Sequence, residues 1–286
     1  MKKVLVLGGT KYVGKALISE LKRISEIHVT VFSRHPYPEV SFMIGERKNQ
    51  NDLDLILQKK FDIIIDFIGY CLPDMEKLTN AIKQYSPNSK LIFISSTYVY
   101  DLTAKHHLYN EEHFNPLEYI PLNKEQSEIS YEDGKRSSEN YLKRHYKKKQ
   151  LCILRFPIIL GSEDYTGRTN YFKNFIIGKN SNKIFEKGGK SNFIFKDDIV
   201  LIIIQLINHF KSGTFNIARP DFLSQEDLYQ LTLKILAHTN SNKILTKELI
   251  KSPFYYSDDF MIGTDKLKKH FILKNTFEEM LNKALF

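Results

Sequence analysis

Four consecutive apolar residues, Val4-Leu5-Val6-Leu7, run straight into Gly8-Gly9-Thr10-Lys11-Tyr12-Val13-Gly14, and around Gly14 apolar residues recur at Val13, Ala16, Leu17, Leu21 and Ile24. No polar residue interrupts the first run, so it reads as a strand buried on both faces, the condition of a parallel sheet. The later spacing is that of one helix face. A buried strand that turns through glycines into a helix commits the chain to a strand-crossover-strand unit. It also aims the first N–H groups of the helix, and the positive end of its dipole, at an anion such as a phosphate lying beyond the strand.

The same rhythm continues. Val29 to Phe32 reads as a second strand and Phe61 to Ile68 as a third; Pro73 then opens a helix through about Tyr85, where its missing N–H costs nothing. Leu91 to Ile94 is a strand ending in Ser95 and Ser96, Tyr131 to Lys147 a helix, and Leu151 to Phe156 a strand stopped by Pro157. Alternating strands and helices imply an α/β fold, a doubly wound parallel sheet with helices on both faces. Asp101 to Ser130 has no period and is expected to be a loop covering a site. Ser162 to Asn182 also reads as loop. Asp197 to Phe210 reads as a buried helix, Thr214 to Ile217 as a short strand, Ser224 to Ala237 as a helix capped by Ser224 with Asp227, and Thr276 to Leu285 as a final helix. At roughly 100 to 200 residues per domain, the 286 residues divide into residues 1–157, with 190–217 returning to them, and a smaller C-terminal substrate-binding subdomain of residues 158–189 and 218–286.

With 42% hydrophobic and 26% charged residues the chain is globular, and disordered or fibrous classes are excluded. Its net charge of +9 suits an anionic ligand. Seven bases and one acid fall between Lys135 and Lys149, and this segment reads first as a solvated helix face. The two cysteines, Cys71 and Cys152, cannot form a disulfide framework or a zinc ribbon, which fits a reducing compartment. Gly8 and Gly9 cut the N-terminal apolar run short of the roughly 7 to 15 residues of a secretory signal, and Ile199 to Ile204 is far shorter than a span of about 20 residues. A cytoplasmic protein with no membrane segment is expected. His106, His107 and His113 lack a metal-ligand spacing, and no metal is expected.

The glycine turn matches a dinucleotide-binding fingerprint except at Lys11, where glycine is usual. Enzymes that use NAD carry Asp or Glu about 20 residues on, to bind the ribose 2′-hydroxyl. Here the second strand ends Ser33-Arg34, with a guanidinium suited to a phosphate, so NADP is expected rather than NAD, and the Lys11 ammonium can meet the same 2′-phosphate. Tyr131 and Lys135 stand four apart on one helix face. A phenol with a pKa of about 10 is a poor acid or base at neutral pH; a neighbouring ammonium, aided by oxidised nicotinamide, favours the phenolate, which can exchange a proton while hydride moves. Ser96, at the carboxyl end of its strand, can orient the substrate oxygen, with Ser95 and Thr97 as rivals. Tyr12, Tyr98 and Tyr100 read as packing or cofactor-wall aromatics.

Gly8 to Gly14, Ser95-Ser96-Thr97-Tyr98-Val99-Tyr100, Tyr131-Glu132-Asp133-Gly134-Lys135 with Glu139, and Leu154-Arg155-Phe156-Pro157 with Gly161 resemble the extended short-chain dehydrogenase/reductases, the NAD(P)-dependent epimerase/dehydratase family. The resemblance runs nearly end to end, through Gly213-Thr214-Phe215-Asn216-Ile217 and the last helix. It implies a Rossmann fold, Ser96 as catalytic hydroxyl, Tyr131 as base, and Lys135 touching the nicotinamide ribose. It also implies cofactor contacts from Gly8, Thr10, Lys11, Tyr12, Val13, Gly14, Ser33 and Arg34, with Phe67, Ile68 and Gly69 along the middle of the cofactor and Pro157 beside the nicotinamide. Thr97 and Arg168 fall where the family contacts substrate, and Arg168 could grip a phosphate or carboxylate bidentately. The implied activity is that of an oxidoreductase or epimerase acting on a hydroxyl or keto group of a small polar metabolite, such as a sugar nucleotide. Dehydration is disfavoured, because Thr97-Tyr98 replaces the Asp-Glu pair of the family's 4,6-dehydratases. Lys11 is shared with a branch that includes RNA-binding relatives, so the alternative is a catalytically weak protein that binds RNA or a protein partner through its basic surface. A homodimer paired through the Tyr131 to Lys147 helix is compatible with the resemblance.

Overall fold

The computed structural model describes residues 1–178, 183–236 and 248–286. In chain order the first half comprises β1 (Lys2–Leu7), α1 (Tyr12–Leu21), β2 (Ile27–Ser33), β3 (Ser41–Ile44), α2 (Gln50–Leu57), β4 (Ile63–Asp66), α3 (Leu72–Tyr85), β5 (Lys90–Ser96), α4 (Tyr131–His145) and β6 (Leu151–Phe156). The second half comprises β7 (Ile158–Leu160), α5 (Tyr171–Ile177), β8 (Lys183–Phe185), β9 (Phe193–Phe195), α6 (Lys196–Asn208), β10 (Gly213–Asn216), α7 (Gln225–Ile235), β11 (Glu248–Ile250), α8 (Asp265–His270) and α9 (Phe277–Leu285).

Seven strands form one parallel sheet in the order β10-β6-β5-β4-β1-β2-β3. The chain winds from β1 outward through β2 to β3, then returns to the other side of β1 for β4, β5, β6 and β10. This is the doubly wound Rossmann arrangement, and the crevice between the carboxyl ends of β1 and β4 is its switch point, where such sheets bind ligands. The burial of β1 on both faces follows from alternation. Val4 and Val6 enter the apolar layer under α1 and α6, while Leu5 and Leu7 enter the opposite layer under α2, α3 and α4. A third apolar cluster, rich in aromatics, gathers Phe172, Phe185, Phe193, Phe195, Phe254 and Phe277 beside the small parallel pair β7-β9.

Several boundaries move from those read in the sequence, each for a local reason. The strand expected over Phe61 to Ile68 is ordered as strand only over Ile63–Asp66, and the helix expected to reach Lys147 stops at His145, where Tyr146 turns extended and its hydroxyl bonds the Ser89 carbonyl at 2.8 Å. The edge strand β3 was not anticipated, because three of its four residues face solvent and carry no apolar alternation. Ser162 to Asn182 is not all loop, since α5 lies within it. The expected segments around Asn182 and Ala237 fall partly outside the described residues. Asp101 to Ser130 contains only short turns, such as Leu102–Ala104, Glu111–His113 and Gln126–Glu128.

Beneath the sheet's carboxyl edge lies a fully buried ion pair. Arg155 on β6 grips Glu139 on α4 through both carboxylate oxygens, at 2.6 and 3.0 Å. Arg155 also donates to the Tyr100 hydroxyl at 3.0 Å, and that hydroxyl donates to Asn216 on β10 at 2.6 Å. The pair therefore ties α4, β6, β10 and the segment after β5 into one frame. Removing one partner strands the other charge in the interior, so Glu139→Ala is expected to lower stability by about 3 to 5 kcal/mol in urea unfolding. A loss below about 1 kcal/mol would show that the frame does not depend on the pair.

Candidate active site

The turn after β1 exists only because it is glycine. Gly8 and Gly9 adopt φ of 74° and 71°, the left-handed region that side chains rarely occupy. A Cβ on Gly8 would come within 2.4 Å of Ile68, and one on Gly14 within 2.1 Å of the Gly9 Cα. The start of α1 has no side-chain cap at Lys11 and no carboxylate in its first turn, so its N–H groups and dipole remain available to an anion. Tyr12 also has positive φ, at 46°, and its hydroxyl reaches the Ile159 carbonyl on β7 at 3.3 Å.

One cleft of about 820 Å³ runs along this turn. Of the residues expected at the site it is lined by Gly8, Thr10, Lys11, Tyr12, Val13, Gly14, Ser33, Arg34, Phe67, Ile68, Ser96, Tyr131, Lys135, Pro157 and Arg168. Gly69 and Thr97 are not brought to its wall. Gly69 contributes instead a carbonyl that accepts from Lys135, and Thr97 is fully buried with its hydroxyl directed at the Phe156 carbonyl, 3.5 Å away.

Helix α4 begins at Tyr131 because Ser130 caps it, its hydroxyl oxygen accepting from the Asp133 N–H at 3.1 Å, with Glu132 and Asp133 complementing the first turn. Gly134 lets the helix approach the loop after β4, since a Cβ there would meet the Tyr70 carbonyl oxygen at 2.2 Å. This close approach buries Lys135, whose ammonium donates to the Gly69 and Ile94 carbonyls, each at 2.7 Å. The ammonium lies 4.7 Å from the Tyr70 ring centroid and 5.9 Å from that of Tyr131. Adjacent serines on β5 have different partners: the Ser95 hydroxyl donates to Glu139 at 2.6 Å, whereas the Ser96 hydroxyl lies 3.5 Å from the Phe156 carbonyl, accepts from the Tyr98 N–H at 3.2 Å, and lines the cleft with Tyr131. The Ser95 hydroxyl, though at the cleft wall, is thus committed to Glu139.

Tyr131 as a whole is 45% exposed, yet desolvation by the protein around its phenol pushes it up to about 12, with the nearby Ser96 hydroxyl pulling the other way. Burial also lowers Lys135 to about 8, opposed chiefly by the Asp66 carboxylate. In the chain alone the phenol is therefore protonated at neutral pH. The expected shift toward phenolate calls for the ammonium and an oxidised nicotinamide together; the ammonium's own hydrogen bonds are directed at the Gly69 and Ile94 carbonyls.

Lys11 also departs from expectation. Its ammonium stands 5.9 Å over the Tyr165 ring, which in turn meets the Tyr12 ring edge-on at 6.2 Å, so it leans toward the Asp164–Arg168 loop. That loop is fixed by Asp164, which accepts from Thr166 and Thr169 through both backbone and hydroxyl donors at 2.6–3.0 Å. Tyr98, read as a packing or cofactor-wall aromatic, lines the cleft, as does Tyr165 beside Arg168; Tyr70 lines it too and was not singled out. Several bases of the basic run hydrogen-bond backbone carbonyls, Arg136 half-buried and Arg144 and Lys147 at the surface. Arg136 donates to the Val99 and Tyr100 carbonyls, Arg144 to Leu117 and Lys147 to Pro87. His106 and His113 stack at 4.0 Å, and among the described residues no group of three or more His, Cys, Asp or Glu is placed to hold a metal. No helix among them is long and apolar enough to cross a membrane.

A family profile described as the NAD dependent epimerase/dehydratase family matches residues 4–218. No curated protein matches the chain in sequence. Among solved structures it is similar to the Bordetella bronchiseptica enzyme WbmH in complex with NAD+, at 14% identity over 100% of this chain and 97% of that one, with a TM-score of 0.76. It is similar also to a UDP-glucuronic acid 4-epimerase from Bacillus cereus in complex with NAD, at 18% identity, 99% and 96% coverage and a TM-score of 0.73. A dTDP-glucose 4,6-dehydratase from Bacillus anthracis in complex with NAD gives 18% identity, 100% and 96% coverage and a TM-score of 0.76. At such identities the likeness is one of fold.

Lys135 titrates near 8 when folded against 10.5 for a free lysine. Between these values the unfolded chain binds the additional proton, so this group adds stability as pH rises through the interval and subtracts it below. Lys135→Met has no proton to lose there. The stability of the wild type relative to this variant is expected to be greater at pH 10 than at pH 7 in urea titrations; equal differences would mean that the amine does not titrate in a buried site.

Proposed function

Because the chain belongs to the NAD dependent epimerase/dehydratase family, we propose that it binds a nicotinamide dinucleotide, NADP in preference to NAD, and transfers hydride to or from a carbinol or keto carbon of a small polar metabolite, with sugar nucleotides as the leading class. The observation that carries this reading is one cleft lined by the Gly8 to Gly14 turn, Ser96, Tyr131 and Lys135. The turn suits a pyrophosphate because the start of α1 has no side-chain cap and no carboxylate in its first turn, which leaves its N–H groups and dipole open to an anion. The preference for NADP is supported at the end of β2, where Ser33 offers no carboxylate and donates its hydroxyl to the His35 carbonyl at 2.6 Å, while Arg34, His35 and Lys48 line the same cleft.

When bound, the dinucleotide supplies a carbon that accepts or returns hydride. Ser96 holds the substrate oxygen by a hydrogen bond and keeps it within reach of the Tyr131 phenol. In the oxidising direction Tyr131, as phenolate, takes the hydroxyl proton; in the reducing direction the phenol returns it. Lys135 lies behind the ring and stabilises the anionic form through space. The same pair serves epimerisation if the intermediate ketone is rotated before hydride returns. Arg168, from the loop pinned by Asp164, holds an anionic part of the substrate, and residues 158–189 and 218–286 form the part of the chain that receives it.

Fluorescence titration is expected to show NADPH binding more tightly than NADH, with Arg34→Ser erasing roughly 10-fold or more of that preference, the loss of one charge-assisted contact. Failure of both nucleotides to bind at millimolar concentration would overturn the reading. Tyr131→Phe is expected to retain nucleotide affinity and lose about 10²- to 10⁴-fold in turnover; undiminished turnover would remove Tyr131 from the proton path.

A further inference from the structure

Beneath Lys135 lies a buried charge cluster that the proposed reaction does not use directly. Asp66, the last residue of β4, is fully buried. Its Oδ1 accepts from Arg47 Nη1 at 2.8 Å and from the Ile68 N–H at 3.0 Å, whereas its Oδ2 has no hydrogen-bond partner among the described residues. Arg47 is also buried; it donates to the Asp74 carbonyl at 3.2 Å, and its Nε lies 3.6 Å from Asp74 Oδ1. A carboxylate fixed by one oxygen and left open at the other is costly to keep in an interior, and it calls for a reason.

The open oxygen borders Gly69: a Cβ there would sit 2.8 Å from Asp66 Oδ2. The carbonyl of that same Gly69 accepts from Lys135. Both acceptors of the Lys135 ammonium are neutral carbonyls, and a buried cation so held still lacks ionic compensation. The charged and titratable groups facing it are Asp66, Tyr70, Asp74, Arg47, Tyr131 and, on its own helix, Glu139. Glu139 is committed to Arg155 and Ser95, and Asp74 to the Tyr70 N–H and Arg47. Asp66 is the anion among them with an uncommitted oxygen.

We propose that Asp66 is a positioning residue for Lys135: its open carboxylate oxygen keeps the buried lysine cationic, and Arg47, by holding the other oxygen, limits how strongly it does so. The inference rests on the role proposed above for Lys135, but concerns the charge of the isolated chain and is testable without turnover. Arg47 and Asp74 line the cleft, so the cluster also joins the wall of the cleft to the lysine.

The test is a titration of Lys135 in the full chain by NMR of ¹³Cε-labelled lysine, with the signal assigned by its loss in Lys135→Met. Asp66→Asn is expected to lower the Lys135 midpoint by about one to three pH units, and Arg47→Met to raise it. The opposite signs distinguish electrostatic control from general loosening, which would move both variants toward the free-lysine value. Should either single variant fail to fold because a lone charge is left buried, Asp66→Asn/Arg47→Met removes both charges. Its midpoint is expected to fall below that of the wild type, since the pull of Asp66 exceeds the push of Arg47. Midpoints unchanged or raised in every variant lacking Asp66 overturn the proposal. If the midpoints move as stated while no form binds a nicotinamide dinucleotide, the functional reading fails and the charge assignment stands.

Discussion

A lysine ammonium held in the interior by two backbone carbonyls is the constraint around which this structure is arranged. Gly69 follows β4, Ile94 belongs to β5 and Lys135 to α4, so two strands and a helix from distant parts of the chain must meet within hydrogen-bonding distance. Gly134 allows that approach, and Ser130 sets the helix start that puts Tyr131 one turn before the lysine. The Glu139–Arg155 pair, one turn further along α4, fixes the helix to β6, and Glu139 takes the Ser95 hydroxyl, while Ser96 lines the cleft beside Tyr131.

Arg47, Arg155 and Arg219 are all buried in ion pairs with Asp66, Glu139 and Asp198, and Lys135 is buried with them. Such pairs add little net stability relative to apolar replacements, yet leave a large deficit when one partner is lost. They specify how the strand ends and helices are joined. Each pair buries an acid with its base and is neutral, so of these four bases only Lys135 draws on the net positive charge of the chain.

Much of the fold was legible because its signals were local. An unbroken Val-Leu-Val-Leu run, glycines at a turn with no room for a Cβ, and a capping serine three residues before a carboxylate each carry their own physical cause. The same holds for Ser96, Tyr131 and Lys135, whose spacing and strand-end position can be read directly. What could not be read depends on orientation in three dimensions. Thr97 and Ser96 are neighbours in sequence with hydroxyls near the same Phe156 carbonyl, but only Ser96 lines the cleft. Lys11 leans toward Tyr165, a residue more than 150 positions away, and no local pattern encodes that meeting. The edge strand β3 escaped because it buries too little to show alternation. The upward shift of the Tyr131 phenol escaped because it comes chiefly from desolvation, which sequence spacing does not report.

The central claim is that Tyr131 becomes a usable base only when the positive charge of an oxidised nicotinamide joins that of Lys135. Phenolate absorbance, read as the difference between the wild type and Tyr131→Phe, follows this single tyrosine with and without saturating NADP⁺. The midpoint is expected to fall from about 12 toward neutrality when the nucleotide is bound, and to fall much less in Lys135→Met. A midpoint unmoved by bound nucleotide, or one that falls equally without the lysine, would contradict the account.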